Sequence, residues 1–243
     1  MAKFNDAWKV PRHGALERLD DGLLTVAGEI RMKLGNFPRR MTVAALAGGR
    51  TAIWSAMPLR EPEMAEIESL GAPAYLIVPG IAHRLDVRAW KARYPEARVV
   101  CAPGARDAVS KAVAVDATGN VLGDPAVRLE TVPGVDGMEA ALLVRRNGRV
   151  TVVLNDVLAH VRHPRGIGAQ LMARLLGFGV NRPNVPRTAR MLLVKDVKAL
   201  ALGFRHWAAE PGLARVVVSH GDVIADRPRS VLERAAEDLE RSL

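Results

Sequence analysis

Several side chains that can bind a metal ion lie just after predicted strands. The apolar runs ending at Val78, Leu154 and Ser219 predict strands, and each is followed by a histidine or an aspartate, namely His83, Asp86, Asp156 and His220. In α/β proteins, ligand-binding groups gather at the ends of strands. Neutral imidazole and carboxylate together suit zinc, iron or manganese. The pattern therefore predicts a divalent metal site, in which Asp156 and His220 are also the catalytic candidates.

Each of these residues also has an ordinary structural interpretation. His83 would cap the following helix or donate to a backbone carbonyl, Asp156 would close a turn, and His220-Gly221 is a common turn pair. Their joint placement after three different strands favours ligation over three separate structural roles. The sequence leaves two outcomes open, one bound metal ion and none.

Other motifs and the cysteine content restrict the class of protein. The sequence contains no Gly-rich phosphate loop, Cys pair, HExxH or GxSxG motif. Cys101 is the single cysteine, which excludes an intramolecular disulfide and fits a reducing compartment, so we expect a cytoplasmic protein. The longest apolar run, 72–82, holds two prolines and a glycine. We therefore expect no membrane-spanning segment and no membrane partner.

The positive charge is concentrated in one region of the chain. The sequence has 35 Lys and Arg against 26 Asp and Glu, a net charge of +9. Between residues 160 and 205 there are nine basic residues against Asp196 alone. Such a field attracts anions. We expect a basic insertion at about 158–195 that binds a small anionic molecule through Arg165, Arg182, Arg187 and Arg190.

Two alternatives to a small anionic ligand stay open for this basic region. A solvated face without a ligand is the simpler one. Nucleic acid is less favoured, because the four Phe, four Trp and two Tyr form no cluster that resembles a base-stacking platform.

The predicted elements change character after Pro58. Apolar runs separated by Asp21-Gly22 and Gly48-Gly49 predict antiparallel strands in the first 57 residues. Helices are then expected at 61–70, 86–94, 105–115, 169–176, 196–209 and 230–243, and strands at 74–78, 98–101, 127–132, 140–144, 150–154 and 215–219. A single α/β domain over 1–243 is the simplest organisation.

The order of several short stretches resembles that of the metallo-β-lactamase-fold superfamily. The stretches are Arg40-Met41-Thr42-Val43, Trp54-Ser55-Ala56-Met57-Pro58-Leu59, Leu70-Gly71, Val78-Pro79-Gly80-Ile81-Ala82-His83, Trp90, Tyr94-Pro95-Glu96-Ala97, Glu139, Asn155-Asp156 and Ser219-His220-Gly221-Asp222. They are most similar to an uncharacterised branch, a domain of unknown function, and cover about 39–224. The resemblance implies a four-layer αββα sandwich with its site at strand ends along one edge.

The metal-binding signature of the catalytic members is incomplete in this chain. With His83 aligned to the second His of H-x-H-x-D-H, the other metal-binding letters become Ile81, Leu85 and Asp86. A later P-G-H turn of those enzymes corresponds here to a turn that ends in Val135, which cannot bind a metal.

The positions that still match the family are enough for one metal ion and too few for two. Asp156 matches the bridging aspartate and His220 the final histidine, while Asp86 and Glu139 are possible replacement carboxylates beside His83. The resemblance then implies a hydrolase-like protein with an incomplete, mononuclear site for a small anionic ester, lactone or phosphoester. Leu85 stands where active relatives carry the aspartate that orients water, so efficient hydrolysis is not expected. The alternative is a non-catalytic binding or scaffold protein that kept the fold.

Overall fold

The chain folds into two β-sheets with helices on their outer faces. The computed structural model describes residues 4–32, 35–164 and 166–241. The first sheet has the order β1-β2-β3-β4-β5-β6-β7 and consists of His13–Asp20, Leu23–Met32, Gly35–Leu46, Arg50–Trp54, Ala72–Val78, Arg98–Cys101 and Ala117–Thr118. Strands β1 to β4 are antiparallel, as the hairpin pairs predict, and β4 to β7 are parallel.

The second sheet is built from the middle and the end of the chain. Its order is β11-β10-β9-β8, where β8 is Val127–Thr131, β9 is Ala140–Arg146, β10 is Arg149–Leu154 and β11 is Leu213–Val218. Strands β8, β9 and β10 are antiparallel, whereas β10 and β11 are parallel. The carboxyl ends of β10 and β11 therefore meet at one edge.

Helices are interspersed with the strands after residue 60. They are α1 Glu61–Ser69, α2 Val87–Arg93, α3 Arg106–Ser110, α4 Ile167–Leu175, α5 Arg187–Leu192, α6 Val197–Ala209 and α7 Pro228–Glu240. Asp196 caps α6 by accepting a hydrogen bond from the Ala199 backbone N–H at 2.9 Å, as its position predicts. Among the described residues, no helix has the length and apolar character required to cross a bilayer.

The burial pattern separates the layers. On β9, Leu142 and Val144 belong to the core shared with the first sheet, whereas Ala141 and Leu143 belong to a second core with α6 and α7. Because successive strand residues point to opposite faces, this alternation shows that the second sheet is buried on both sides. The result is a helix–sheet–sheet–helix arrangement.

One predicted helix is much shorter in the structure, and two short elements are additional to those predicted. Helix α3 ends at Ser110 instead of reaching residue 115, because the chain turns so that Asp116 can pair with Val99 of β6 through two hydrogen bonds. The two-residue strand β7 and the six-residue helix α5 were not predicted. Both are too short for a periodic pattern of hydrophobic residues to be recognised.

Candidate metal centre

His83, Asp156 and His220 come together at the edge where their strands end. The Nε2 atoms of the two histidines are 3.2 Å apart. Oδ1 of Asp156 lies 3.4 Å from Nε2 of His83 and 2.8 Å from Nε2 of His220. One donor atom from each residue therefore faces a common point, although the residues are separated by more than sixty positions in the sequence.

The register of the second sheet fixes the positions of two of these candidate ligands. Leu154 of β10 is paired with Val218 of β11, and Ser219 donates its backbone N–H to the Leu154 carbonyl at 3.0 Å. Asp156 and His220 each lie two residues beyond that pair. Parallel strands with matched ends therefore deliver both side chains to the same place, while His83 arrives from the loop after β5 in the first sheet.

Each imidazole is oriented through its other ring nitrogen. Nδ1 of His220 lies 2.8 Å from the Pro38 carbonyl oxygen and donates to it, which leaves the Nε2 lone pair directed at the site. Nδ1 of His83 is hydrogen bonded to the hydroxyl of Ser55 at 2.7 Å. Ser55 has a φ of 54°, in the left-handed region that a residue other than glycine rarely adopts. The backbone after β4 therefore holds an unfavourable conformation at the point where it supports a candidate ligand.

The electrostatics place His83 and Asp156 in the protonation states that metal ligands require, whereas Asp156 makes His220 hold its proton more tightly. Burial lowers the pKa of His83, although the charge of Asp156 acts to raise it. Burial would also lower the pKa of His220, but its hydrogen bond and charge interaction with Asp156 raise it above the usual value. The pKa of Asp156 would be raised by burial, and the nearby His83 and His220 instead hold it far below its usual range. Asp156 is thus ionised and His83 neutral at neutral pH.

The spacing of the donor atoms fits a single transition-metal ion. Ligand bonds of about 2.0–2.1 Å in tetrahedral geometry place donor atoms roughly 3.3 Å apart. The three observed separations, 2.8, 3.2 and 3.4 Å, lie around that value. Three protein ligands also leave one coordination position open, as in catalytic zinc sites. Within the described part of the chain, no other group of three or more His, Cys, Asp or Glu side chains has this arrangement.

Glu139 supports the loop of Asp156 and is not one of the grouped donors. Its buried carboxyl accepts hydrogen bonds from the Asn155 side chain at 3.1 Å and from the backbone N–H groups of Asp156 and Val157, both at 3.2 Å. Burial and the neighbouring Asp156 charge raise the pKa of Glu139 well above its usual value. The expectation that Glu139 replaces a missing ligand is therefore corrected to a positioning role.

Asp86 is likewise not one of the grouped donors. It forms a buried ion pair with Arg39, and its other oxygen accepts a hydrogen bond from Asn5 at 2.6 Å. Each oxygen of Asp86 thus accepts from one of these partners, and the structure does not group Asp86 with the three converging donors. The prediction missed this because Arg39 lies 47 residues earlier in the sequence.

Arg182, Arg187 and Arg190 are not among the residues that line the cavity next to His83 and His220. Arg182 pairs with Asp238 of α7 at 2.9 Å, and Arg187 donates to the Leu175 carbonyl at 3.2 Å. Arg190 lies half-buried on α5, and Arg165 is outside the described residues. An acidic residue of the outer helix layer thus engages Arg182, and substrate binding by these arginines stays a prediction.

A cavity of about 210 Å³ lies next to the candidate ligands, with a cation in its wall. It is lined by Phe37, Arg39, Ser55, Leu85, His83 and His220, among others. Arg39 is the basic residue of that lining, and its proximity contributes to the lowered pKa of His83. The signal in the sequence is the pair Arg39-Arg40 inside a mostly apolar strand, a placement that buried strands rarely tolerate without a specific partner.

The insertion contacts the site through an aromatic residue. The ring of Phe178, which follows α4, lies 6.2 Å from the His220 ring and 4.7 Å from that of Phe37, measured between centroids. Phe37 in turn lies 4.7 Å from His220. The insertion thus covers one side of His220 with apolar surface, a role that its arginine content did not indicate.

The architecture is shared with solved metallo-β-lactamases. The enzyme from Hirschia baltica has a TM-score of 0.63 at 10% identity, over 93% of this chain and 97% of that chain. The enzyme from Pontibacter korlensis has a TM-score of 0.63 at 11% identity, over 94% and 99%. FIM-1 from Pseudomonas aeruginosa, in a mono-zinc form, has a TM-score of 0.60 at 11% identity, over 96% and 98%.

These similarities establish the fold and confirm the expected four-layer sandwich. The chain has the metallo-β-lactamase fold along nearly its whole length. No family model matches the chain, and no curated protein matches its sequence.

Proposed function

We propose that this protein is a hydrolase-like metalloprotein that binds one divalent ion through His83, Asp156 and His220. The observation that carries the proposal is the convergence of their three donor atoms, with separations of 2.8 to 3.4 Å. Zinc, iron and manganese all accept this combination of imidazole and carboxylate. The ligand set is incomplete relative to a two-metal hydrolase, so we propose a mononuclear site.

The proposed substrate is a small anionic ester, lactone or phosphoester. A divalent ion at this site would lower the pKa of bound water and polarise a carbonyl or phosphoryl oxygen. The ion itself would attract an anionic group, since the charge of Arg39 in the cavity wall is balanced by Asp86. Phe37 and Phe178 shield one side of His220 from bulk water. The cavity volume of about 210 Å³ suits a small molecule.

Leu85 in the same cavity limits the expected rate. An alkyl side chain can neither orient nor deprotonate water, so the position supplies no general base. This observation favours the second candidate, a binding or scaffold protein that kept the fold and lost the chemistry. With Cys101 as its only cysteine, we propose that either form acts in the cytoplasm.

The metal content of the purified protein tests the first part of the proposal. We expect about one zinc, iron or manganese ion per chain by elemental analysis. His220→Ala should abolish stoichiometric binding, because it removes one of three ligands. His206→Ala is the matched control, since His206 is exposed on α6 outside the group. If the wild type takes up no metal, even on titration, the metalloprotein proposal fails.

A substrate panel tests the second part. Anionic esters, lactones and phosphoesters should be hydrolysed faster than neutral analogues, and His220→Ala should reduce the rate to background. A wild type that binds one ion and hydrolyses none of them would refute the hydrolase and leave the binding protein.

A further inference from the structure

The insertion exposes an apolar stripe that the site does not use. Ile167, Leu171 and Leu175 of α4 have exposed fractions of 88%, 58% and 54%. Their spacing of four residues places them along one side of the helix, while Ala173, on the opposite side, is buried. Helix α4 thus rests on the protein through a small residue and presents three large aliphatic side chains outward.

Helix α5 extends this surface. Met191 and Leu192, with exposed fractions of 80% and 67%, lie on α5. The first residue of α5, Arg187, is fixed to the end of α4, since its backbone N–H donates to the Leu176 carbonyl at 2.8 Å and its side chain donates to the Leu175 carbonyl at 3.2 Å. The two helices are therefore neighbours. Of the seven large hydrophobic side chains that are exposed in the described chain, five belong to this pair.

The same segment is uniformly basic. Residues 158–195 contain seven Lys and Arg and no Asp or Glu. Arg162, Arg174 and Lys195 are exposed. Arg174 lies on α4 at the edge of the apolar stripe. An exposed apolar stripe within a cationic surface is the pattern of helices that lie in the interface of an anionic bilayer.

We propose that α4 and α5 form a docking surface for an anionic lipid bilayer. The aliphatic side chains would enter the boundary between headgroups and acyl chains, and the basic residues would contact the headgroups. This surface association replaces our expectation of no membrane partner, which considered only spanning segments. It is independent of the proposed metal chemistry.

The charge and composition of the surface argue against two other occupants. A second copy of the chain would bring two faces of the same sign together, which is unfavourable at close range. Nucleic acid would require stacking groups, but Phe178 is the only Phe, Tyr or Trp of 158–195 and it packs on Phe37 and His220.

Co-sedimentation with lipid vesicles tests the proposal. The wild type should bind vesicles of phosphatidylcholine with about 30% phosphatidylglycerol, bind phosphatidylcholine alone weakly, and lose binding as salt rises. The triple variant Ile167→Ser, Leu171→Ser, Leu175→Ser should bind anionic vesicles at least about tenfold less. Leu202→Ser is the matched control, because Leu202 is 65% exposed on α6 outside the insertion.

Circular dichroism and thermal unfolding verify that the variants are folded. If the triple variant is not, Leu171→Glu alone should weaken binding, since it adds a negative charge to the stripe. The proposal is overturned if the triple variant binds anionic vesicles as well as the wild type does, or if neutral vesicles bind equally. It is also overturned if the stripe instead forms the interface of a dimer in solution, or if the protein binds only RNA or an acidic polypeptide through it.

Discussion

Arg39 and Asp86 form an ion pair that is almost fully withdrawn from water beside the candidate metal centre. The pair engages Asp86, which the sequence predicted as a fourth ligand. It also holds Arg39 in the wall of the cavity next to His83 and His220. Breaking such a pair by removing one partner is costly, because the remaining charge stays buried without compensation. Stability and metal binding can therefore be separated at this residue.

Asp86→Asn should destabilise the protein without removing the metal. We expect the free energy of unfolding to fall by about 3 kcal/mol, because Arg39 loses its counter-charge. Metal stoichiometry should stay at the wild-type value, since Asp86 is not among the converging donors. Urea unfolding and elemental analysis on the same preparation measure both effects.

Asp6→Asn provides the comparison for that change. Asp6 pairs with Arg88 at 3.0 Å, but its side chain is 76% exposed, so its loss should cost less than about 1 kcal/mol. Loss of the metal from Asp86→Asn, with unfolding unchanged, would show that the carboxylate serves as a ligand after all.

At the scale of elements, strand β3 connects the loops that carry the site. The Pro38 carbonyl accepts from His220, Arg39 holds Asp86, and Arg40 donates through Nε and Nη2 to the Gly221 carbonyl at 3.3 and 3.1 Å. Burial lowers the pKa of Arg40, although nearby carboxylates act to raise it. Three successive residues of one strand thus secure the loops after β5 and β11.

The sequence predicted the candidate ligands better than the residues that support them. His83, Asp156 and His220 follow apolar strand runs, and strand ends are visible in a single sequence. Ser55, Pro38 and Arg39 act through contacts between segments 28, 182 and 47 residues apart, which no local pattern encodes. Helix α5 was not predicted for a different reason. It has only six residues after Pro186, which is too few to show a helical repeat of hydrophobic residues.

Gly221 lies in the loop after β11, at a position that has no room for a side chain. Its φ is 120°, and an added Cβ would lie 2.0 Å from the His160 carbonyl oxygen. That carbonyl also accepts the backbone N–H of Asp222 at 2.9 Å. The loop after β11 is therefore pressed against the start of the insertion, directly beside His220.

Gly221→Ala should disturb both stability and metal binding. We expect a loss of about 2–3 kcal/mol, from strain at the positive φ and from backbone displacement, together with weaker metal affinity because His220 is adjacent. Gly119→Ala separates the two causes, since Gly119 has a φ of 72° with nothing within 4 Å of an added Cβ. Thermal unfolding and metal titration give the readouts, and equal behaviour of the two variants would contradict the close-contact explanation.

For the whole molecule, two cores enclose the second sheet, and the larger one contains Cys101. The thiol lies at the end of β6 with no exposed surface. Burial raises its pKa to about 11, although the charge of Arg106 opposes this. The thiolate is therefore much less favourable in the folded protein than in the unfolded chain, so this residue reports on global unfolding.

Alkaline pH should consequently destabilise the fold through Cys101. The folded state keeps its proton up to about pH 11, while the unfolded thiol ionises near pH 9. Unfolding then releases a proton between those values, and the stability falls as pH rises through that window. The shift corresponds to about 1.4 kcal/mol lost between pH 7 and pH 10. Below pH 8 the thiol should contribute no pH dependence.

Cys101→Ala isolates this effect from the other groups that titrate in alkali. Urea unfolding of both proteins at pH 7 and pH 10 gives two differences in unfolding free energy. The advantage of the wild type over Cys101→Ala should shrink by about 1.4 kcal/mol between them. In parallel, a thiol reagent at pH 8 should modify the folded wild type at a rate limited by opening of the structure, and the urea-unfolded chain at once. A constant difference between the two proteins, or rapid modification of the folded state, would place the thiol at the surface and contradict the buried position at the end of β6.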